Sequence, residues 1–155
     1  MAETTNALRS AFWSIAVAAV ALTSASGCME LDGGAAEVAW VVRDSEQRAR
    51  DCDEINVSYV RLQVLEESDG GLRDLCTSPD VDIGRCTFEC DDRRGTTPFK
   101  IPEGWYYFGL AVLGPDLKPR SPDEIAVPAP IYRRVLDGEI LDLGVWQIVY
   151  TQPAQ

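Results

Sequence analysis

Short segments in which apolar and polar residues alternate run through most of this chain, and this pattern limits its fold more than any other feature. In residues 37–43, Val38, Trp40 and Val42 fall on the same side of an extended strand. No segment beyond the first 36 residues combines the 3.6-residue apolar spacing of an amphipathic helix with capping residues. We therefore expect the chain to fold from strands.

A second alternating segment, residues 55–66, is a strand with a break in its pattern. Its apolar residues fall on one side before residue 60 and on the other side from there onward. Such a change of side predicts a β-bulge or a change of sheet near Tyr59. The turn residues 66–71 then end the strand.

The segment 105–113 is apolar on both sides, which is typical of a central strand. Its even-numbered residues are uniformly large, and we expect them to face the core between two sheets. The odd-numbered residues mix aromatic rings with glycine and alanine, which suits a partly covered outer face. The even set is Tyr106, Phe108, Leu110 and Val112, and the odd set is Trp105, Tyr107, Gly109 and Ala111.

The remaining strands are bounded by proline and glycine. Pro128 and Pro130 interrupt residues 125–135, which predicts an edge strand or an extended strip. Asp137-Gly138 predicts a tight hairpin before the last strand. The other predicted strands are residues 85–90, 97–101 and 140–150.

The charge balance excludes one class of partner. The chain has 25 acidic and 14 basic residues and a net charge of −11, which repels the phosphate backbone of nucleic acids. Because of this charge, we expect no nucleic-acid partner. The absence of histidine separately removes every mechanism that needs an imidazole base or ligand.

Residues 1–27 have the organisation of an export signal. The apolar run 11–22 is shorter than the roughly 20 residues that span a bilayer and fits the core of a signal peptide. Ala25-Ser26-Gly27-Cys28 resembles the lipobox of bacterial lipoproteins. The resemblance implies a signal-peptide helix cleaved before Cys28, acylation of that cysteine and, because Met29 follows it, sorting to the outer membrane of a diderm bacterium. Cleavage by the ordinary signal peptidase near Ser24-Ala25-Ser26 is the alternative.

The four remaining cysteines, Cys52, Cys76, Cys86 and Cys90, predict two disulfides in an exported chain. An extended segment would hold Cys86 and Cys90 about 13 Å apart, beyond the roughly 7 Å limit between Cα atoms. A fold-back about Gly70-Gly71 instead pairs Cys52 with Cys90 and Cys76 with Cys86. Pairing of Cys52 with Cys86 and of Cys76 with Cys90 stays open. A zinc site is disfavoured because the spacing lacks paired C-x₂₋₄-C motifs.

Two segments resemble prealbumin-like modules, which include carboxypeptidase regulatory-like and collagen-adhesin B-type domains. Residues 101–112 are similar to their L-P-x-G-x-Y strand, and residues 142–149 are similar to their closing L-G-x-x-x-I strand. The resemblance implies a β-sandwich, an extracellular or periplasmic location and no catalytic residues to transfer.

The strand pattern predicts an all-β chain, folded as a single antiparallel β-sandwich of about seven strands. The class of the sandwich is Ig-like or, as the resemblance implies, prealbumin-like. We place the sandwich at residues 37–150. A flexible tether, residues 28–36, precedes it, and a C-terminal tail, residues 151–155, follows it.

Three patterns offer chemistry, and each has a structural explanation. Lys100 and Lys118 are the only lysines, and neither lies in a Ser–Lys motif. Asp80 and Asp82 have part of a calcium-loop spacing, but solvated loop acids are expected in so acidic a chain. The aromatic run 105–108 could form a sugar-stacking platform, whereas strand spacing places alternate members in the core.

We therefore predict a non-enzymatic, lipid-anchored cell-envelope protein that acts as an interaction or structural module, with no catalytic residue, metal or cofactor. Its expected partners are the membrane, through Cys28, and an envelope protein or glycan. One alternative is a carbohydrate-acting enzyme, which needs an acidic pair facing across an aromatic groove. The other is an accessory ligand-binding domain, which needs a deep apolar pocket.

Overall fold

The computed structural model describes residues 32–151, and within them the chain forms nine β-strands and two short 3-10 turns. The turns are Asp53–Ile55 and Cys90–Asp92. The strands are β1 (Ala35–Asp44), β2 (Tyr59–Ser68), β3 (Gly71–Asp74), β4 (Thr87–Glu89), β5 (Arg94–Thr96), β6 (Gly104–Leu113), β7 (Ile125–Ala126), β8 (Ile131–Val135) and β9 (Ile140–Tyr150).

The strands form two sheets packed face to face, so the prediction of an all-β sandwich is confirmed. One sheet has the order β5-β1-β9-β7. The other has the order β3-β2-β6-β8, with β4 beside β3 on the same edge of β2. One pair departs from the antiparallel pattern, since β1 and β9 run parallel. The strand count also exceeds the predicted seven, since several segments divide.

The chain changes sheet between β8 and β9. The predicted hairpin at Asp137-Gly138 is wrong: β8 pairs with β6 in one sheet, while β9 pairs with β1 and β7 in the other. Gly138 has φ 72°, which suits the tight turn that carries the chain across. In the four-stranded sheet β9 runs parallel to β1, with the register from Ala35–Ile140 to Asp44–Tyr150.

The strip at 125–135 divides in the same way. It forms β7 in the four-stranded sheet and β8 in the five-stranded sheet, each at an edge. Pro128 and Pro130 lie between them, and neither has the N–H that a continuous ladder requires. The prolines thus mark the crossing between sheets.

The predicted faces of the central strands are confirmed. Phe108 is fully buried, and Tyr106, Leu110 and Val112 are at most 5% exposed. Val38, Trp40 and Val42 of β1 face them from the other sheet. The indole N–H of Trp40 donates to the carbonyl oxygen of Cys90 at 2.9 Å, so its one polar atom is paired inside the core.

Several predicted boundaries differ from the structure. β2 begins at Tyr59, because a 3-10 turn ends at Asn56 in the left-handed conformation (φ 53°) and accounts for the change of side before residue 60. The strand predicted at 97–101 is displaced to β5, where Gly95 gives room to the ring of Phe88. β1 begins at Ala35, two residues before the predicted start, because Ala35 and Ala36 are fully buried.

Two disulfides join the turns and loops around the core. Cys52 is bonded to Cys90, with the Cα atoms 6.0 Å apart, and Cys76 is bonded to Cys86 at 5.9 Å. The sequence left two pairings of these cysteines open. The structure has the nested one. The first bond links the two 3-10 turns, and the second closes the loop between β3 and β4.

The turn after β1 is organised by a buried carboxylate. Asp44 accepts hydrogen bonds from the backbone amides of Glu46 and Arg48 and from the guanidinium groups of Arg48 and Arg50, at 2.8–3.1 Å. Burial alone would raise the pKa of Asp44, but these hydrogen bonds outweigh it and hold the pKa well below its usual range.

We expect the stabilisation from Asp44 to depend on pH. Because its pKa is lower in the folded chain than in the unfolded chain, the stabilisation is complete above the ordinary carboxyl pKa of 3.8 and is lost as the pH falls below it. Urea unfolding from pH 7 to pH 2 should show Asp44→Asn less stable than the parent at neutral pH, with a difference that shrinks in acid. Asp69→Asn, in an exposed turn, is the control. A difference that stayed constant down to pH 2 would contradict the assignment.

Candidate binding face on the five-stranded sheet

Three aromatic side chains form a row on the outer face of the five-stranded sheet. Trp105 and Tyr107 alternate on β6, and Tyr132 of β8 pairs directly opposite Tyr107. The ring of Tyr132 stacks on Trp105, with centroids 5.2 Å apart, and packs against Tyr107 at 4.6 Å. Trp105 is 56% exposed and Tyr132 is 45% exposed. We call these three residues the aromatic row.

The register of the sheet explains the row. Residues opposite each other on an antiparallel pair share a face, so Tyr107 and Tyr132 are neighbours although they lie far apart in sequence. The run 105–108 therefore divides: Tyr106 and Phe108 enter the core, while Trp105 and Tyr107 face outward. Sequence reasoning missed Tyr132, and the only signal was its place in the alternation of 131–135.

A glycine continues the face beyond the row. Gly109 lies opposite Gln63 of β2, and a Cβ at Gly109 would come 3.0 Å from the side-chain oxygen of Gln63 and 3.5 Å from Pro130. Glycine thus leaves room for the Gln63 side chain to lie along the sheet beside the aromatic row. The amide group of Gln63 offers both a donor and an acceptor there.

Charged groups lie at both ends of the row and are hydrogen-bonded. The hydroxyl of Tyr107 donates to Glu67 at 3.4 Å, and the negative charge of Glu67 raises the pKa of Tyr107. Arg134, opposite Trp105, forms an ion pair with Glu103 at 2.6 Å. The row is therefore an apolar surface with polar groups at both ends.

The loop acids that the sequence singled out lie elsewhere and are paired with cations. Asp82 accepts a hydrogen bond from Lys100 at 2.9 Å, which lowers the pKa of that carboxyl, and Asp80 pairs with Arg73 at 3.3 Å. Lys118 pairs with Asp116 at 3.2 Å. In the described part of the chain, no group of three or more Asp, Glu or Cys residues has an arrangement that could hold a metal ion.

The predicted lipidation site lies outside the residues that the structure describes. Cys28 and the export signal precede residue 32, so their predicted roles stay predictions. Between residues 32 and 151, no helix has the length and apolar character needed to cross a bilayer.

Comparison with known proteins gives one structural match. No protein-family model matches the sequence, and no curated protein is similar to it. The structure is similar to GBS52, the minor pilin of the Gram-positive pathogen Streptococcus agalactiae, with a TM-score of 0.41 and 12% sequence identity. The match covers 79% of this chain and 46% of the pilin, so the chain spans less than half of that protein's length.

Proposed function

We propose that this protein is a non-enzymatic interaction module of the cell envelope, held at the outer membrane by a lipid on Cys28. The observation that carries the proposal is the aromatic row, because exposed stacked Trp and Tyr side chains are the residues on which binding energy concentrates. Two disulfides support an exported location, since such bonds persist in oxidising compartments. The resemblance of residues 101–112 to the L-P-x-G-x-Y strand supports a sandwich of the prealbumin-like class.

A glycan is the partner that this face suits best. Trp105 and Tyr132 present ring surfaces on which the apolar side of a sugar can stack. Gln63 and the Tyr107–Glu67 pair add hydrogen-bonding groups beside the rings, which sugar hydroxyls require. In the bacterial envelope, peptidoglycan is an abundant glycan of this kind.

Co-sedimentation with purified peptidoglycan sacculi tests this assignment. Trp105→Ala with Tyr132→Ala should weaken binding at least tenfold, because an aromatic side chain at the centre of a binding site contributes about 2 kcal/mol or more. Val145→Ala, an exposed apolar residue on the other sheet, should bind like the parent protein. Equal binding by the double variant, with an unchanged melting temperature, would exclude the row as the glycan site. If the double variant kept its binding to peptidoglycan but no longer bound a purified envelope protein, the partner of the aromatic row would be a protein.

The lipid anchor has its own test. We expect Cys28→Ser to abolish acyl labelling and to move the protein from the membrane fraction to the soluble fraction, because several acyl chains together anchor a protein stably. Metabolic labelling with an alkyne fatty acid and fractionation of the cells measure both effects. Membrane retention of the serine variant would show that Cys28 is not the anchor.

A further inference from the structure

The strand β6 has an edge that is only partly covered. Its ladder with β8 ends at the pair Phe108–Ile131. Among the described residues, the chain returns to this edge at the bridge between Leu113 and Pro119, where the amide of Arg120 donates to the carbonyl of Val112 at 2.8 Å. Leu110 lies between these two attachments, and we call this stretch of edge the Leu110 gap.

The backbone of Leu110 faces the gap. In an antiparallel sheet, alternate residues direct both of their backbone groups to the same edge. Val112 accepts from Arg120 on this side, and Leu110 is two residues before it, so its N–H and C=O point the same way. Within residues 32–151, no backbone hydrogen bond reaches either group of Leu110 from this edge. The residue as a whole is only 3% exposed, and buried backbone groups are nearly always paired with protein or ordered water.

A cavity of about 370 Å³ opens onto the gap at the seam between the two sheets. Its walls are largely apolar, since the β6 side contributes Leu110 and Val112 and the β7 side contributes Ile125 and Val127. From Phe108 to Val112 the gap measures about 13 Å at 3.3 Å per residue. That length takes three to four residues of an extended chain.

One more donor lies at the cavity. Arg120 lines it, and one of its terminal nitrogens is held by Glu124 at 3.0 Å. The Nε of Arg120 is shielded from solvent and has no hydrogen-bond partner among the described residues. Because Glu124 already pairs with the charge of the Arg120 guanidinium, the free Nε–H of Arg120 suits a neutral acceptor such as a peptide carbonyl.

We propose that an extended, apolar segment of a partner protein binds in the Leu110 gap by adding a short strand to β6. Its backbone pairs with Leu110 and accepts from Arg120, and alternate apolar side chains enter the cavity, which is the pattern of β-strand addition. The net charge of −11 favours a segment flanked by lysine or arginine. This site is separate from the aromatic row and does not depend on the glycan proposal.

Peptide titration followed by NMR tests the proposal on the purified protein. The probe is an acetylated and amidated hexapeptide, Lys-Thr-Val-Thr-Val-Lys. We expect a dissociation constant below about 1 mM, shifts centred on residues 108–112 and at least tenfold slower amide exchange at Leu110. A peptide with glutamate in place of both lysines should bind at least tenfold more weakly, and one N-methylated at its central backbone amides should not bind.

Variants localise the site. Val127→Arg places a bulky side chain at the cavity wall and should weaken binding at least tenfold, whereas Val145→Arg, at an exposed position of β9 that does not line the cavity, should not. Full binding of the N-methylated peptide, equal binding to the Val127→Arg variant or no slowing at Leu110 would each overturn strand addition. Self-association of the protein that protects Leu110 would replace the partner with a second copy of the chain.

Discussion

Replacement of Phe108 by alanine should destabilise the protein by about 3–5 kcal/mol, the range for an aromatic side chain removed from a packed core. Phe108 is fully buried at the centre of β6, where it packs edge-on against Tyr106 with ring centroids 6.4 Å apart. A domain of this size has only about 5–15 kcal/mol of stability in total. Urea denaturation followed by tryptophan fluorescence should therefore show a large fall in the midpoint.

Tyr107→Ala is the matched control for Phe108→Ala. Tyr107 is the next residue on the same strand but lies on the outer face, in contact with Tyr132. Its loss should cost clearly less, because the ring is only partly buried. If Tyr107→Ala were the more destabilising change, the register of β6 and the assignment of its two faces would be wrong.

Removal of the Cys52–Cys90 disulfide should cost about 4 kcal/mol, and removal of the Cys76–Cys86 disulfide about 3 kcal/mol. The difference follows from loop length: the bonded residues are 38 positions apart in the first case and 10 in the second. A longer closed loop takes more conformational freedom from the unfolded chain.

Paired alanine variants and thermal melts measure this order. Cys52→Ala with Cys90→Ala should melt below Cys76→Ala with Cys86→Ala, and both should melt below the parent. Peptide mapping without reduction should recover the two linked pairs and no free thiol among these four cysteines. A larger loss for the Cys76–Cys86 variant, or a map with Cys52 linked to Cys86, would contradict the arrangement.

The faces of the long strands could be predicted from sequence because a period of two is a local property. Val38, Trp40 and Val42 need no knowledge of their neighbours to define a buried side, and the same holds for Tyr106 and Phe108. Sheet membership could not be predicted in this way. Whether Asp137-Gly138 joins two strands of one sheet or of two depends on which strands pair with β8 and β9, and that information lies in distant residues.

Only part of the aromatic row could be predicted from sequence, because alternation along one strand is local whereas pairing between strands is not. The run 105–108 contains two of the three rings, but Tyr132 reaches them only through the register of β6 with β8. From sequence, Gly109 is only a small residue on the outer face. The reason for a glycine there is the Gln63 side chain, which lies opposite it on β2.

The parallel pairing of β1 and β9 determines how the sandwich responds to a pulling force on its two ends. β1 begins and β9 ends at opposite poles of the domain, and the register runs from Ala35–Ile140 to Asp44–Tyr150, about 30 Å along the strands. A pull between Ala35 and Thr151 therefore slides the two strands past each other. It loads all the inter-strand hydrogen bonds of the pair together, whereas a hairpin pulled from its open end would lose them one at a time. A domain of this topology resists stretching along its own length.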